Sequence, residues 1–308
     1  MSLARRDLLR ALAVAALPPP GRAASTEPAA NFPTEPRARL AVTSYPFRAF
    51  IESPTNPNPK RPSMDMTGFP RFVAEQFGVF NINPLLAHFK STDPGYMQKF
   101  RRALEQARSH IVDLGLGGGA FYANDESSRQ AAVESGRRGI EAAVQVGSPS
   151  VRQHVSGAEK PDVDRAAQSL GRLAEYGAKR NVVINLENDD PGPEDPFFLV
   201  SVIEKVDNPY LRSLPDFGNS HIGHDDNYNR RAVAAMLRHA YDMCHIKDVV
   251  SGRNGQQIHV DLPPLFQLAK RSGFRGYFSM EYETEAGDPI AGTKRLVEIS
   301  LQCLSRTT

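Results

Sequence analysis

The segments NVVINLE (181–187), LRSLPDF (211–217), YDMCHIK (241–247) and GYFSMEY (276–282) decide the fold. Each is a short, largely apolar run bounded by turn residues, and each has a charged residue at or near its C-terminal end. Runs of this length with β-branched and aromatic residues read as buried strands. Working outward, four more precede them: LAVTSY (40–45), GVFNIN (78–83), HIVDLGL (110–116) and SVRQHV (150–155). Amphipathic stretches lie between, among them YMQKFRRALEQARS (96–109), RQAAVESGRRGIEAAVQVG (129–147) and DRAAQSLGRLAEYGAKR (164–180). In the second of these, Ala132, Gly136, Ile140, Ala143 and Val144 fall on one helical face. Strand followed by helix, eight times, requires parallel pairing through right-handed crossovers. The expectation is an α/β chain, a (β/α)8 barrel over residues 39–308. A doubly wound sheet is the rival, but it usually has fewer strands and often a glycine-rich phosphate fingerprint.

The N-terminus reads differently. Arg5 and Arg6 precede a short apolar stretch from Leu8 to Leu17, then Pro18 to Pro20 and the small residues Ala23 and Ala24. A basic start, a short apolar run and a small-residue cleavage site predict an export signal over residues 1–24, of the twin-arginine type, followed by a linker over 25–38. The expected location is therefore periplasmic or otherwise exported. Without residues 1–24, 33 basic residues stand against 34 acidic ones, so the formal charge of +2 becomes −1. A nearly neutral protein gives no footprint for nucleic acid or an anionic membrane. No apolar run reaches the ~18 residues of a membrane-spanning helix. Cys244 and Cys303 show no zinc-ribbon spacing and are expected as two buried free thiols.

In a barrel of this kind, functional groups project from the C-terminal ends of the strands. Glu187, Asp216, His245 and Glu281 occupy those ends on four consecutive strands. A carboxylate among apolar neighbours faces a large desolvation cost unless a cation compensates it. Three converging carboxylates repel one another without a positive charge between them. A divalent cation resolves both problems. One imidazole and three carboxylates form a mostly hard donor set, suited first to Mn²⁺ or Mg²⁺ and also compatible with Co²⁺ or Zn²⁺. His88, His154, Asn219, His221, Lys247 and Arg253 lie in segments following strand ends and are candidate substrate contacts. Gly117 to Gly119 suggest close backbone approach.

The segments INLEND, LPDFGNSH, CHIKD and YFSMEYE resemble the ligand-bearing strands of the xylose-isomerase-like barrels, a superfamily of sugar isomerases and epimerases, inosose dehydratases and endonuclease IV nucleases. The resemblance spans nearly all of residues 39–304. It implies that Glu187, Asp216, His245 and Glu281 hold the metal, and that Glu187 and Glu281 are the proton-transfer pair. The implied reaction removes a proton α to a carbonyl and passes through an enediolate. Three outcomes stay open: a sugar isomerase or epimerase, a lyase or dehydratase acting on keto-sugars or keto-glycosides, and a non-catalytic periplasmic sugar-binding barrel. In each the partner is a small sugar or glycoside, with a homo-oligomer left open. The nuclease reading is disfavoured, since LGLGGGAF carries no histidine and QIHVD (257–261) reverses the expected order of ligands. Many sugar epimerases have a histidine where Asn219 stands here, and strand two ends in Asn81 and Asn83 where a glutamate is common.

Overall fold

A computed structural model describes residues 27–28, 31–61, 63–189, 192–252, 254–283 and 287–305. The export signal lies outside these residues, as does Arg253. The described part of the expected linker packs on the body. Phe32 sits edge-on to Tyr241 and Tyr277, and Tyr241 donates to the Pro28 carbonyl at 2.6 Å.

The strands are β1 (Leu40–Thr43), β2 (Asn81–Asn83), β3 (His110–Ile111), β4 (Leu114–Tyr122), β5 (Ser150–Gly157), β6 (Val183–Glu187), β7 (Leu211–Leu214), β8 (Met243–Ile246), β9 (Val249–Ser251), β10 (Gln257–His259) and β11 (Tyr277–Met280). The helices are α1 (Phe69–Phe77), α2 (Pro94–Ala107), α3 (Glu126–Val146), α4 (Val163–Arg180), α5 (Pro196–Val206), α6 (Asp226–Leu237), α7 (Leu262–Arg271) and α8 (Pro289–Ser305). Parallel ladders run β3-β2-β1-β11-β8 and β4-β5-β6-β7. Two short junctions join them. On one side the Gly115 N–H donates to the Pro84 carbonyl at 2.9 Å. On the other, His245 N–H donates to Pro215 O at 3.0 Å and Phe217 N–H to His245 O at 3.1 Å. The chain is a closed (β/α)8 barrel. Its third stave is β3 and β4 together, broken at Val112–Asp113.

The staves alternate over most of their length, with β4 irregular in register. Leu40, Val42, Ile82, Ile184, Leu186, Cys244, Ile246, Phe278 and Met280 belong to the large core between staves and helices. Ala41, Val112, Leu214 and Met243 form a second, small apolar cluster. Asn83, Asp113, Ser150, Asn185, Asp242 and Ser279 are buried polar residues. Period-2 alternation puts Asn83, Asn185 and Ser279 on the face opposite Ile82, Ile184, Leu186, Phe278 and Met280.

Four details differ from the sequence reading. Several strands are shorter at one or both ends, and Asp216 lies beyond β7, reaching the sheet through its isolated bridge to His245. The β9–β10 hairpin follows β8 and carries an exposed His259, a pattern too short and too polar to signal itself. Val144 is exposed, because α3 buries Val133, Gly139, Ala142 and Val146 beside Ala132, Gly136, Ile140 and Ala143, which turns its inner face away from that position. Cys303 is only partly buried, whereas Cys244 is fully so, and both are free.

Phe278 packs against Phe217, Phe266 and Phe274 and is 2% exposed. Phe278→Ala is expected to lower unfolding free energy by about 3–5 kcal/mol, through lost burial and the cavity left behind. The same truncation at Phe80, 47% exposed, should be near neutral. Urea unfolding of the two variants gives the comparison.

Candidate metal and proton-transfer site

Glu187 ends β6, Asp216 follows β7 by two residues, His245 lies in β8 and Glu281 directly follows β11. Consecutive staves β6, β7, β8 and β11 thus bring the four side chains to one end of the barrel. Each can offer one donor atom so that all lie within 4.8 Å of one another, and all four residues are buried.

The cluster is held by cations that the chain itself supplies. Arg152, an inward residue of β5, reaches Glu187 Oε2 at 2.5 Å. Glu187 Oε1 lies 2.5 Å from His245 Nδ1, and Glu281 Oε2 3.3 Å from the same nitrogen. Lys247 Nζ stands 3.0 Å from Glu281, 3.5 Å from Asp216 and 2.6 Å from Glu283. Three buried carboxylates therefore face three basic side chains, Arg152, Lys247 and His245, among the described residues. Gly115 makes room for one of them: a Cβ there would sit 3.0 Å from the Arg152 guanidinium. Within Gly117 to Gly119 the close approach lies at Gly119, where a Cβ would sit 2.6 Å from the Phe121 ring, while Gly117 has open space beside it.

These charges set the protonation states. Burial opposes the charged form of His245, but Glu187 and Glu281 outweigh it and raise the imidazole to about 9. Burial likewise works against Glu187, yet His245 and Arg152 hold it well below the usual carboxylate range. Burial pushes Asp216 up to about 7, despite Lys247. Lys247 stays charged: Asp216, Glu281 and Glu283 override its burial.

The residues fit a divalent cation. Asp216 Oδ1 accepts from the Gly218 and Asn219 amides at 2.8 and 2.6 Å, whereas its Oδ2 is buried with no hydrogen-bond partner among the described residues. That oxygen, 3.5 Å from Lys247 Nζ, stands beside an imidazole and two further carboxylates, an oxygen-rich donor set suited to a divalent cation.

The outer candidates are distributed around this centre. His154 Nδ1 lies 3.1 Å from Glu194 and 3.6 Å from Asp189. Asn219 accepts from Lys247 at 2.8 Å and donates to Asp189 at 3.1 Å. Lys247, a candidate substrate contact, is buried within the cluster. His221 pairs with Asp226 in the first turn of α6 and bonds to no cluster residue among the described residues. His88 faces Ser44 at 2.8 Å. Arg152, Asn83, Asp113 and Glu283 were not expected in the site. Arg152 had a readable signal, a charge inside an apolar strand, where the same desolvation reasoning applies as at the strand ends.

The sequence model of the xylose isomerase-like TIM barrels matches residues 73–305, and the chain belongs to that family. No curated protein matches its sequence significantly. Among solved structures it is similar to a xylose isomerase-like TIM barrel protein from Mycobacterium smegmatis in complex with magnesium. That pair shares 18% identity over 87% of this chain and 96% of the other, with a TM-score of 0.66. It is also similar to a D-tagatose 3-epimerase-like protein (17%, 86% and 98%, TM-score 0.67) and to 3-keto-D-glucoside 4-epimerase from E. coli (16%, 86% and 98%, TM-score 0.60).

Two outcomes follow from this geometry. Lys247→Met should destabilise the metal-free protein by about 3–5 kcal/mol, as loss of one partner of a buried ion pair does. It should also enlarge the rise in melting temperature on adding Mn²⁺, because Asp216 and Glu281 lose their competing cation. A smaller rise than in the wild type would show that Lys247 does not compete. His88 is pushed down to about 4 by burial and by the Arg48 and Arg152 charges. Below pH ~6.5 the unfolded chain binds a proton that the folded chain refuses, so stability falls as pH drops from about 6.5 toward 4, by roughly 3 kcal/mol. Urea unfolding at pH 4.5 and 7 should show a smaller difference in His88→Gln than in the wild type.

Proposed function

We propose that the protein is a metal-dependent sugar isomerase or epimerase that abstracts a proton α to a carbonyl. One observation carries the reading: Glu187 and Glu281 flank a four-donor cation site, and each is paired with its own basic residue, Arg152 or Lys247. A binding protein has no need of two ionised carboxylates so placed. A bound Mn²⁺ or Mg²⁺, held by Glu187, Asp216, His245 and Glu281, supplies Lewis-acid polarisation of the substrate carbonyl.

The chain's own residues account for the rest. Arg152 and His245 keep Glu187 ionised in the resting state. Lys247 and His245 do the same for Glu281. Each glutamate therefore begins as a proton acceptor. One carboxylate takes the proton from the α carbon, leaving its electron pair in an enediolate. The other, also ionised at rest, takes a proton from a substrate hydroxyl and delivers it to the opposite face or to the neighbouring carbon, and the first returns its proton to the vacated oxygen. The first outcome is epimerisation and the second ketose–aldose isomerisation. The Arg152 and Lys247 charges, fixed in a buried site, stabilise the negative charge that develops in the enediolate and need no reorganisation as it forms. The epimerases among the structural neighbours support a sugar as substrate. The twin-arginine pattern at Arg5 and Arg6 supports action outside the cytoplasm.

The expected metal content is one divalent ion per chain, with a rise in melting temperature on adding Mn²⁺ to chelator-treated protein. A protein that takes up no ion and gains no stability would sink the site. Solvent deuterium should enter a ketose substrate in the wild type and fall by at least about 100-fold in Glu187→Gln and in Glu281→Gln, the scale of a lost general base. Exchange that persists in both would remove them from proton transfer.

A further inference from the structure

His245 Nε2, the ring nitrogen turned away from Glu187, lies 2.8 Å from Asn83 Oδ1. Asn83 ends β2 and is 1% exposed. Its amide cannot turn round. Nδ2 lies 3.2 Å from the Asp113 carbonyl, which only accepts, and 3.1 Å from Asp113 Oδ1. Exchanging the amide's oxygen and nitrogen would place an acceptor against that carbonyl. Asn83 Oδ1 also takes the Ser279 hydroxyl at 3.5 Å, as an acceptor should.

Asp113 is fixed in turn. Its Oδ2 accepts from Ser150 Oγ at 2.8 Å and from Asn185 Nδ2 at 3.2 Å. Asn185 Nδ2 also donates to Asp242 at 2.8 Å. A fully buried carboxyl group at 0% exposure thus sits with both oxygens engaged and, among the described residues, hydrogen-bonds to none of the four cluster residues. The proton-transfer scheme leaves it unused.

We propose that Asn83, clamped by Asp113, is a positioning residue that keeps the His245 ring proton on Nε2 and turns the Nδ1 lone pair toward the carboxylate cluster. The inference rests on the metal-site reading for its consequence, though not for its geometry. An acceptor with one available orientation must meet a donor, so Nε2 carries hydrogen whether or not Nδ1 does. A ligating imidazole whose other nitrogen is tied down in this way keeps one tautomer and one ring plane.

The test uses the full chain with ¹⁵N-labelled histidine. In metal-free wild type, the His245 Nε2–H should be protected from exchange with water. Asn83→Leu should abolish that protection, and Asn83→Asp should retain it, since a carboxylate oxygen still accepts there. With Mg²⁺ added, His245 should carry its single ring proton on Nε2. The Mn²⁺ dissociation constant should rise about 10–100-fold in Asn83→Leu and stay within a few-fold in Asn83→Asp. Should Asn83→Leu not fold, Asp113→Asn substitutes, because it preserves shape while offering Asn83 an amide that can donate as well as accept; it should weaken the protection. Protection unchanged in Asn83→Leu, or in Asp113→Asn where the former does not fold, overturns the proposal, as does a lone ring proton on Nδ1 in the Mg²⁺ state. Wild type that binds neither ion while Asn83→Leu still loses protection would sink the metal reading and support the positioning role.

Discussion

Burying several like charges in one place sets the terms for the rest of this molecule. Glu187, Asp216 and Glu281 are all removed from water at one end of the barrel. Isolated, each would be driven toward its neutral form. The chain answers with Arg152 from β5, Lys247 after β8 and the raised imidazole of His245 in β8. Local choices follow from that requirement. Gly115 leaves space for the guanidinium, and Asn219 takes a hydrogen bond from the ammonium. The balance is thinnest at Asp216 Oδ2, which stands 3.5 Å from Lys247 Nζ and has no hydrogen-bond partner among the described residues. A cation arriving there enters a site whose repulsion has already been relieved without being exhausted.

The barrel beneath the cluster is polar as well. Asn83, Asp113, Ser150, Asn185 and Asp242 form a connected series. Burial and the nearby Asp113 push Asp242 up to about 7, so these two carboxylates do not both demand a full charge near neutral pH. Asn185 Oδ1 and Asp242 Oδ2 have no hydrogen-bond partner among the described residues, but the Asn83–Asp113 end that meets His245 is fully engaged. The orientation of that end is what holds the His245 ring. The outward faces of the same staves carry the apolar residues that bind the helices. Stability and chemistry are thereby separated by the period of two along each strand.

Much of this was legible in the chain. Eight apolar runs alternating with amphipathic stretches specify strand and helix through local periodicity, and parallel order follows from the connections. The four strand-end donors were legible because a charge at the end of an apolar run is conspicuous in one dimension. The break at Val112–Asp113 and the exposure of Val144 were not, since both depend on how neighbouring elements pack. The ion pairs of Lys247 were not legible for the same reason: its position two residues after His245 gave its distance along the chain and not the direction of its side chain.

The sequence by itself determined the order of elements, the family of the chain and the identity of the four clustered donors, because periodicity and the misfit of a charge in apolar surroundings are local properties. Only the tertiary structure decided which cations balance that cluster and which way His245 faces. Arg152 meets Glu187 from 35 positions away, and Asn83 meets His245 from 162. Barrel closure creates those contacts, and the desolvation that gives them their strength exists only once the mouth is assembled.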